Sequence, residues 1–274
     1  MRIIDWEKTD TSLARLEVEP AAVYHAKAKD YLSSHALAAF RRCPLLFHKK
    51  KQGLIEDKDS PAYLLGRAAH TLILEGRDAF EAEYAFGGPT NPKTGKPFGT
   101  NTKAFADWAA AVGKPVLSDD QLAVVEQMAS GVAMNEVAIA LLRYGQAEGV
   151  VRIEYRGLLC QIRIDWLNPE QGIVDLKTCD DLTWFEADAR RFEYVHQLAF
   201  YRAVLAQAVG GLVTVHIVAV EKKEPFRCGV WRVGQDVLAI AQEDNEQAID
   251  RLLGCYATDV WPTGYEDIRT FDHL

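Results

Sequence analysis

Two short runs of alternating polar and apolar residues constrain the fold of this chain most strongly. The first is Gln161-Ile-Arg-Ile-Asp165, and the second is Ile173-Val-Asp-Leu-Lys177. The alternation predicts two strands, because successive side chains of a strand point to opposite faces of a sheet. Residues 168–172 between the runs are turn formers, so we predict an antiparallel hairpin.

The predicted hairpin carries charged groups on one face. We expect Gln161, Arg163 and Asp165 to share a face, with Asp175 and Lys177 projecting together from the second strand. Neighbouring strands lie about 4.8 Å apart, so the two aspartates could bind one divalent cation. Lys177 could then orient or deprotonate a water, or stabilise a charged transition state. The alternative is an ordinary hairpin with a solvated acidic face and a surface salt bridge.

A predicted helix follows the hairpin and carries two further candidates. It opens with capping-box spacing at Thr183-Trp-Phe-Glu186 and runs to about Val209, with a break near Phe192. Gln197 and Tyr201 are four residues apart and share a face, where they could contact a phosphate backbone or brace the lysine. The alternative is that Tyr201 is a core aromatic residue.

A predicted helix upstream of the hairpin carries a histidine. Ser60 is expected as its N-cap with Pro61 at the first position, and Gly76 as its end. Gly66 and His70 are four residues apart, so the glycine leaves space one turn before the imidazole. His70 is therefore either a ligand or a structural residue.

The remaining patterns indicate an α/β fold with a mixed central sheet over about 150–233, flanked by helices. Residues 213–220 and 227–233 are expected to form a second hairpin. Further helices are predicted over 35–43 with Ser33 as the cap and Pro44 at the end, and over 102–112 and 119–144. Glu148 could reach a metal through water or simply begin a strand. Glu154 alternates onto the same face and is a weaker candidate.

Length and composition fit one globular domain. The 274 residues are 49% hydrophobic, which suffices for a substantial core. We divide the domain into a weakly patterned segment 1–32, a mainly helical part 33–147 that carries His70, a catalytic sheet core 148–233, and a C-terminal helix and tail 234–274. No apolar run approaches the roughly 18 residues that cross a bilayer, and no secretory signal is evident. We therefore expect a soluble, cytoplasmic protein without a membrane partner.

Several patterns together resemble the PD-(D/E)XK nuclease superfamily, and within it the RecB-like branch that contains exonuclease VIII (RecE-type). The core D-x9-D-x-K motif is formed by Asp165, Asp175 and Lys177. The others are Gly66-x3-His70, Gln197-x3-Tyr201, the V-A-V-E-K-x2-P-F passage over 218–226, and W-P-T-G-Y over 261–265. The resemblance extends from Ser33 over most of the chain.

The resemblance implies a site, cofactors and partners. His70, Asp165, Asp175 and the Leu176 carbonyl would bind Mg²⁺, with Glu148 as an additional candidate. Mn²⁺ would substitute for Mg²⁺. Lys177, Gln197 and Tyr201 would join the aspartates as catalytic residues. The implied activity is 5′-to-3′ digestion of linear double-stranded DNA in phage-type recombination. A homo-oligomeric ring and a single-strand annealing recombinase are implied partners.

Other sequence features limit these expectations. Cys43 lies where relatives with an iron-sulfur cluster have their upstream ligand, but the downstream cysteine trio is missing, so we expect no cluster. No P-loop is present, so we expect no ATP. The net charge of −8 argues mildly against a nonspecific nucleic-acid coat protein. Basic segments at 41–51 and 93–103 are candidate DNA contacts. An endonuclease of the same fold and a noncatalytic DNA-binding protein are the alternative functions.

Overall fold

A computed structural model describes residues 16–55 and 61–270 and shows a mixed sheet between two groups of helices. The strands are β1 (Glu17–Val18), β2 (Ala85–Phe86), β3 (Val116–Leu117), β4 (Gln146–Tyr155), β5 (Leu158–Asn168), β6 (Gly172–Cys179), β7 (Val215–Glu221) and β8 (Cys228–Arg232).

The helices are α1 (Ala21–Ala26), α2 (Ser34–Arg42), α3 (Pro44–Lys51), α4 (Pro61–His70), α5 (Arg77–Glu83), α6 (Lys103–Val112), α7 (Asp119–Ala133), α8 (Glu136–Leu142), α9 (Phe185–Arg191), α10 (Tyr194–Val209) and α11 (Gln235–Thr258). Short 3₁₀ turns cover Lys27–Lys29 and Leu182–Trp184, and a π-helical segment covers Thr71–Glu75.

Six strands form the central sheet in the order β1-β4-β5-β6-β7-β8, and β2 and β3 form a separate parallel pair. Within the central sheet, β6 and β7 are parallel and all other neighbours are antiparallel. The parallel pair is joined by α9 and α10, as a crossover connection requires. The predicted α/β class with a mixed sheet is confirmed. The sheet also extends beyond the predicted range, because β1 pairs with β4.

Each face of the sheet is covered by one core. The first core combines the inward faces of α2, α10 and α11 with residues such as Ile162, Ile164 and Ile173. The second core combines α4, α7 and α8 with Val174, Leu176 and their neighbours on β7. Alternate residues of β6 thus serve opposite cores, which accounts for the nearly continuous apolar sequence of a strand buried on both faces.

Most predicted helices are present, and their caps explain the boundaries. Ser33 and Thr102 accept backbone N–H groups as the N-caps of α2 and α6. Gly76, with φ +91°, ends the helical stretch that includes α4. The predicted cap Ser60 lies outside the described residues. Pro44 ends α2 as expected, and it also begins α3.

Two helix predictions were wrong in detail. The single helix predicted over 119–144 is broken, because Asn135 caps a new helix by accepting from the N–H groups of Val137 and Ala138. The predicted capping box at Thr183 does not form. Asp181 is the cap instead, accepting from Thr183 N at 2.9 Å. The predicted break near Phe192 is present between α9 and α10.

Candidate active site

The two aspartates lie where the predicted hairpin opens. The ladder between β5 and β6 contains only the pairs 166↔174, 167↔173 and 168↔172, so it ends immediately before Asp165 and Asp175. On its other side, β6 is paired with β7 from Ile173 to Cys179. Asp165 Oδ2 accepts the N–H of Leu176 at 2.9 Å. A side chain thus satisfies a backbone group that the missing strand partner would otherwise bind.

The strand alternation also changes at this level of the sheet. In β5, Ile164 and Leu167 both belong to the first core, although they are three positions apart along the chain. In β4, Val151 belongs to the first core but Ala147 packs against the second. In a regular strand, residues three positions apart point to opposite faces and residues four positions apart point to the same face. Both strands are therefore irregular between these residues.

Glu148 lies at the centre of this irregularity. Its φ of +55° is in the left-handed region, which is uncommon for a glutamate. The flanking register, 147↔166 and 149↔164, places it opposite Asp165 on the neighbouring strand. Glu154, the weaker candidate, is exposed. Ile162 and Ile164 both belong to the first core, as the shared face predicted for Gln161, Arg163 and Asp165 requires.

Three potential ligands converge at the opening. One nitrogen or oxygen atom from each of His70, Glu148 and Asp165 lies within 4.8 Å of the others. The closest recorded approach is 3.6 Å, between His70 Nδ1 and Asp165 Oδ2. Arg163 Nε lies 2.7 Å from Glu148 Oε2. Burial raises the pKa of Glu148 to about 8, and the charge of Asp165 raises it further than Arg163 lowers it.

His70 reaches the opening from the last position of α4. The helix approaches β6 closely at Gly66, where a Cβ atom would lie 3.7 Å from Thr178 Oγ1. The π-helical segment begins directly after His70, and such segments are frequent at functional sites. Burial lowers the pKa of His70 to about 4, and the Lys177 ammonium lowers it as well. The imidazole is therefore neutral at pH 7 and can act as a ligand.

Asp175 and Lys177 form a buried pair beside this cluster. Lys177 Nζ lies 2.5 Å from Asp175 Oδ2, and Asp175 is 1% exposed. Burial raises the pKa of Asp175 to about 6 against the lowering effect of the ammonium. Burial by itself would lower the pKa of Lys177, but the charges of Asp175 and Asp165 outweigh it and raise the pKa. Within the described residues, Lys177 is the partner of Asp175 Oδ2, and Asp175 Oδ1 has no hydrogen-bond partner.

Gln197 and Tyr201 lie one turn apart on α10, as their spacing predicts. Gln197 Nε2 donates to Tyr201 Oη at 3.1 Å. Tyr201 is 5% exposed and also bonds the side chain of Ser34. Burial, together with the charge of Asp165, raises the pKa of Tyr201 above its usual value. This burial favours a bracing role for Tyr201 over direct contact with a nucleic-acid backbone.

Comparison with known proteins places the chain in a family. A family model described as a PDDEXK-like domain of unknown function (DUF3799) matches residues 33–273. The chain belongs to this PDDEXK-like family. The chain is also similar to the crystal structure of a "Putative exonuclease" from Eubacterium rectale, with a TM-score of 0.65. That match has 18% sequence identity and covers 100% of this chain and 97% of the other chain, which shows a shared fold. No curated protein matches the sequence.

The donor set of this PDDEXK-like site fits a divalent cation. It offers a neutral imidazole and several carboxylates, a combination suited to Mn²⁺ and, through its oxygens, to Mg²⁺. Among the described residues, the buried Asp175 Oδ1 has no hydrogen-bond partner. The opposed carboxylates of Glu148 and Asp165 repel each other, and a cation would relieve this repulsion. His70, Glu148, Asp165 and Asp175, with the Leu176 carbonyl, are the groups that could bind the cation.

The predicted basic segments differ in their availability. Arg41 and Arg42 pair with Glu193, Lys51 bonds Tyr256, and His48 stacks on Trp261. This segment therefore contributes to packing of the protein. Arg42, Lys49 and Lys51 are nevertheless exposed, and so are Lys93, Lys96 and Lys103 of the second segment.

One cavity lies apart from the acids. It measures about 840 Å³ and is lined by α8, by the turn 168–171 and by residues at the ends of β7 and β8, including Arg143, His216 and Arg232. It therefore lies at the closed end of the hairpin.

Sequence patterns did not indicate two contacts at the site. Tyr194 places its ring 5.0 Å from Lys177 Nζ, and Arg163 pairs with Glu148. Glu148 itself was assigned only a minor role from the sequence. Their positions depend on the break before α10 and on the irregularity in β4, which are properties of the folded sheet. In the described range, no helix combines the length and apolarity needed to cross a bilayer.

Proposed function

We propose that this protein is a Mg²⁺-dependent deoxyribonuclease that digests linear double-stranded DNA from its ends, in the 5′-to-3′ direction. The observation that carries the proposal is the convergence of His70, Glu148 and Asp165 beside the buried Asp175–Lys177 pair. A protein that only bound DNA would gain nothing from acids that face phosphate. The family and the fold shared with a protein described as an exonuclease support a nuclease.

The proposed mechanism assigns each residue a role. His70, Asp165, Asp175 and the Leu176 carbonyl bind the cation, with Glu148 as an additional ligand. A bound divalent cation polarises the scissile phosphate and lowers the pKa of water. Lys177 holds the attacking water by a hydrogen bond and offsets negative charge that develops on the phosphate. Tyr201 and Gln197 brace the α10 side of the site so that Lys177 and the acids keep their relative positions.

The finer parts of the proposal rest on the resemblance to exonuclease VIII. They are the polarity of digestion, a ring-shaped homo-oligomer, cooperation with a single-strand annealing recombinase, and a place in phage-type recombination inside the cytoplasm. Mn²⁺ is expected to replace Mg²⁺, because an imidazole in the ligand set suits Mn²⁺.

The decisive experiment offers three substrates with Mg²⁺: linear duplexes labelled at the 5′ end, linear duplexes labelled at the 3′ end, and covalently closed circles. We expect early release of the 5′ label as mononucleotide, late release of the 3′ label, and intact circles. Asp175→Ala is the control and should be inactive. Cleavage of the circles would identify an endonuclease, and equal degradation by wild type and Asp175→Ala would refute the assigned site.

Metal binding can be tested separately by calorimetric titration with Mn²⁺ in the absence of DNA. Wild type should take up the ion, and Asp165→Asn should bind it at least about tenfold more weakly because a charged ligand is lost. Uptake that is unchanged in Asp165→Asn would place the metal elsewhere.

A further inference from the structure

An aromatic pair leads from the proposed catalytic lysine to the protein surface. The Tyr194 ring centroid lies 5.0 Å from Lys177 Nζ. The Phe192 ring stacks on Tyr194 with a centroid separation of 5.9 Å and an interplanar angle of 27°. Tyr194 is half-buried, whereas Phe192 is 49% exposed. The outer ring is therefore accessible from solvent close to the site.

The backbone fixes Phe192 in this exposed position. Phe192 ends α9, and the next residue, Glu193, has φ +60° and begins the turn into α10. Glu193 Oε2 is bound by Arg41 at 2.9 Å and by Arg42 at 3.5 Å. The turn is thus held to α2 by ion pairs. A ring held in this way loses little conformational entropy when it binds a ligand.

A positive charge lies next to the exposed ring. The Arg191 guanidinium is 5.3 Å from the Phe192 ring centroid and is exposed. An aromatic face beside an arginine is a combination that binds single-stranded nucleic acid, because bases stack on the ring and phosphates pair with the cation. Lys177 and Arg191 lie at the two ends of the aromatic pair.

The distances match a short piece of a DNA strand. The Tyr194 ring centroid lies 5.0 Å from Lys177 Nζ and 5.9 Å from the Phe192 ring centroid, so the Phe192 ring is two short steps from the lysine. A stacked strand advances about 3.4 Å per nucleotide. A base at the ring would therefore belong to a nucleotide within about three positions of a phosphate at Lys177. A paired base inside a duplex has no free face for the ring, so the base must be unpaired.

We propose that Phe192, stacked on Tyr194, is a binding subsite for an unpaired nucleobase of the strand that is cut. The site then accepts DNA whose end is frayed or single-stranded over the first few nucleotides. This inference rests on the proposed nuclease function, because it takes Lys177 to mark the position of the scissile phosphate.

Binding without metal tests the subsite independently of cleavage. The probe is a short single-stranded oligodeoxynucleotide with 2-aminopurine near one terminus, titrated in EDTA. Stacking on Phe192 should quench its fluorescence in wild type. Phe192→Ala should abolish the quenching and weaken binding about fivefold or more. Trp184→Ala is the matched control, because Trp184 is 66% exposed on the same segment but outside the stack, and it should behave as wild type.

Cleavage kinetics test the same contact through a double-mutant cycle. An abasic residue at one of the first three positions should lower kcat/KM of wild type about tenfold, and Phe192→Ala should lower it equally on intact DNA. With Phe192→Ala acting on abasic DNA, kcat/KM should fall no further than with either change alone, because both changes remove the same contact. Phe192→Leu, which keeps the apolar bulk, should resemble Phe192→Ala. Melting curves confirm that each variant is folded.

The outcomes separate the subsite from the nuclease proposal. Additive losses in the cycle, or equal quenching by wild type and Phe192→Ala, would overturn the subsite even if the enzyme cuts DNA as proposed. Failure of wild type to cut DNA would overturn the nuclease function, and the EDTA titration would still decide whether Phe192 binds a base.

Discussion

Two equally buried carboxylates on neighbouring strands have opposite surroundings. Asp175 on β6 and Glu221 on β7 are each 1% exposed. Glu221 accepts hydrogen bonds from Leu182 N at 2.9 Å and from Arg227 Nε at 2.8 Å and Nη2 at 2.6 Å. Asp175 Oδ2 pairs with Lys177, and among the described residues Asp175 Oδ1 has no hydrogen-bond partner. Hydrogen bonding by Arg227 lowers the pKa of Glu221, whereas burial raises that of Asp175.

The difference separates a structural acid from one that is available for chemistry. Glu221 lies where β6 and β7 are continuously paired, and its hydrogen bonds tie the second hairpin to the segment that precedes α9. Asp175 lies where β6 has lost its other partner, β5. A buried carboxylate oxygen without a hydrogen bond, such as Asp175 Oδ1, is costly to the fold. Such a cost is common at functional sites, where the group binds its partner only during function.

The strongest test of this comparison is Asp175→Asn. We expect nuclease activity to fall at least about 10³-fold, because several kcal/mol of charge stabilisation are lost at the reacting phosphate. The free energy of unfolding should fall by about 2 kcal/mol or less, because Lys177 loses one charged partner while Asp165 remains near it and an amide oxygen can still accept from Lys177. Initial rates on labelled duplex and urea unfolding measure the two effects. A large loss of stability would show that Asp175 is structural like Glu221.

The closed and open ends of the β5–β6 hairpin should differ in how well they tolerate the methyl group that a glycine-to-alanine substitution adds. At the closed end, Gly172 has φ +78° and a Cβ atom would lie 2.2 Å from Thr214 O. Gly172→Ala should therefore lower the free energy of unfolding by about 3 kcal/mol or more.

The matched variant is Gly66→Ala near the open end. Here the new Cβ would be in ordinary contact with Thr178 Oγ1 at 3.7 Å. Alanine also favours the helix by up to about 1 kcal/mol, so stability should stay equal or rise. Urea unfolding of both variants makes the comparison. Equal destabilisation by the two substitutions would contradict the close approach at Gly172.

Glu221→Gln should show the reverse of the Asp175 variant. We expect activity to persist and the Tm to fall by roughly 5 °C at pH 7, because the charge in the hydrogen bonds to Arg227 is lost. The pKa of Glu221 is lowered in the folded protein, so its contribution to stability is fully present above its unfolded pKa of about 4.5. It is lost as the pH falls through the folded value.

The difference in Tm between wild type and Glu221→Gln should therefore shrink as the pH falls below 4.5. Thermal melts between pH 7 and 3 measure it. A difference that is constant over this range would mean that the charge of Glu221 contributes nothing.

Local sequence patterns predicted the parts of this molecule that depend on local rules. Ser33 and Thr102 cap helices where their sequence positions indicate, and the hairpin turn at 168–172 is present. His70 lies on the predicted helix, one turn after Gly66. These features follow from backbone hydrogen bonding within a few residues.

Other features were not predictable, because they depend on contacts between distant segments. No local signal indicates that Glu148 adopts a positive φ opposite Asp165. The same passage that resembles exonuclease VIII contains Glu221, but its structural role requires Leu182 and Arg227 to meet it in the fold. Alternation assumes a regular ladder, and the proposed site lies where the ladder is irregular.

The smallest effect is expected from Tyr201→Phe, which tests whether the acids need support from α10. The substitution removes the hydroxyl that accepts from Gln197 Nε2, and a neutral hydrogen bond contributes about 1 kcal/mol. We expect kcat to fall about fivefold with KM unchanged, because the hydroxyl is buried and positions the site without touching DNA.

Tyr155→Phe is the matched control. Its hydroxyl donates to Glu246 at 2.6 Å on the side of the core near α11, so a similar bond is lost without an effect on kcat. If both variants lower kcat equally, the effect comes from general loosening of the core. If Tyr201→Phe raises KM instead, the hydroxyl contacts DNA and Tyr201 belongs to the substrate-binding surface.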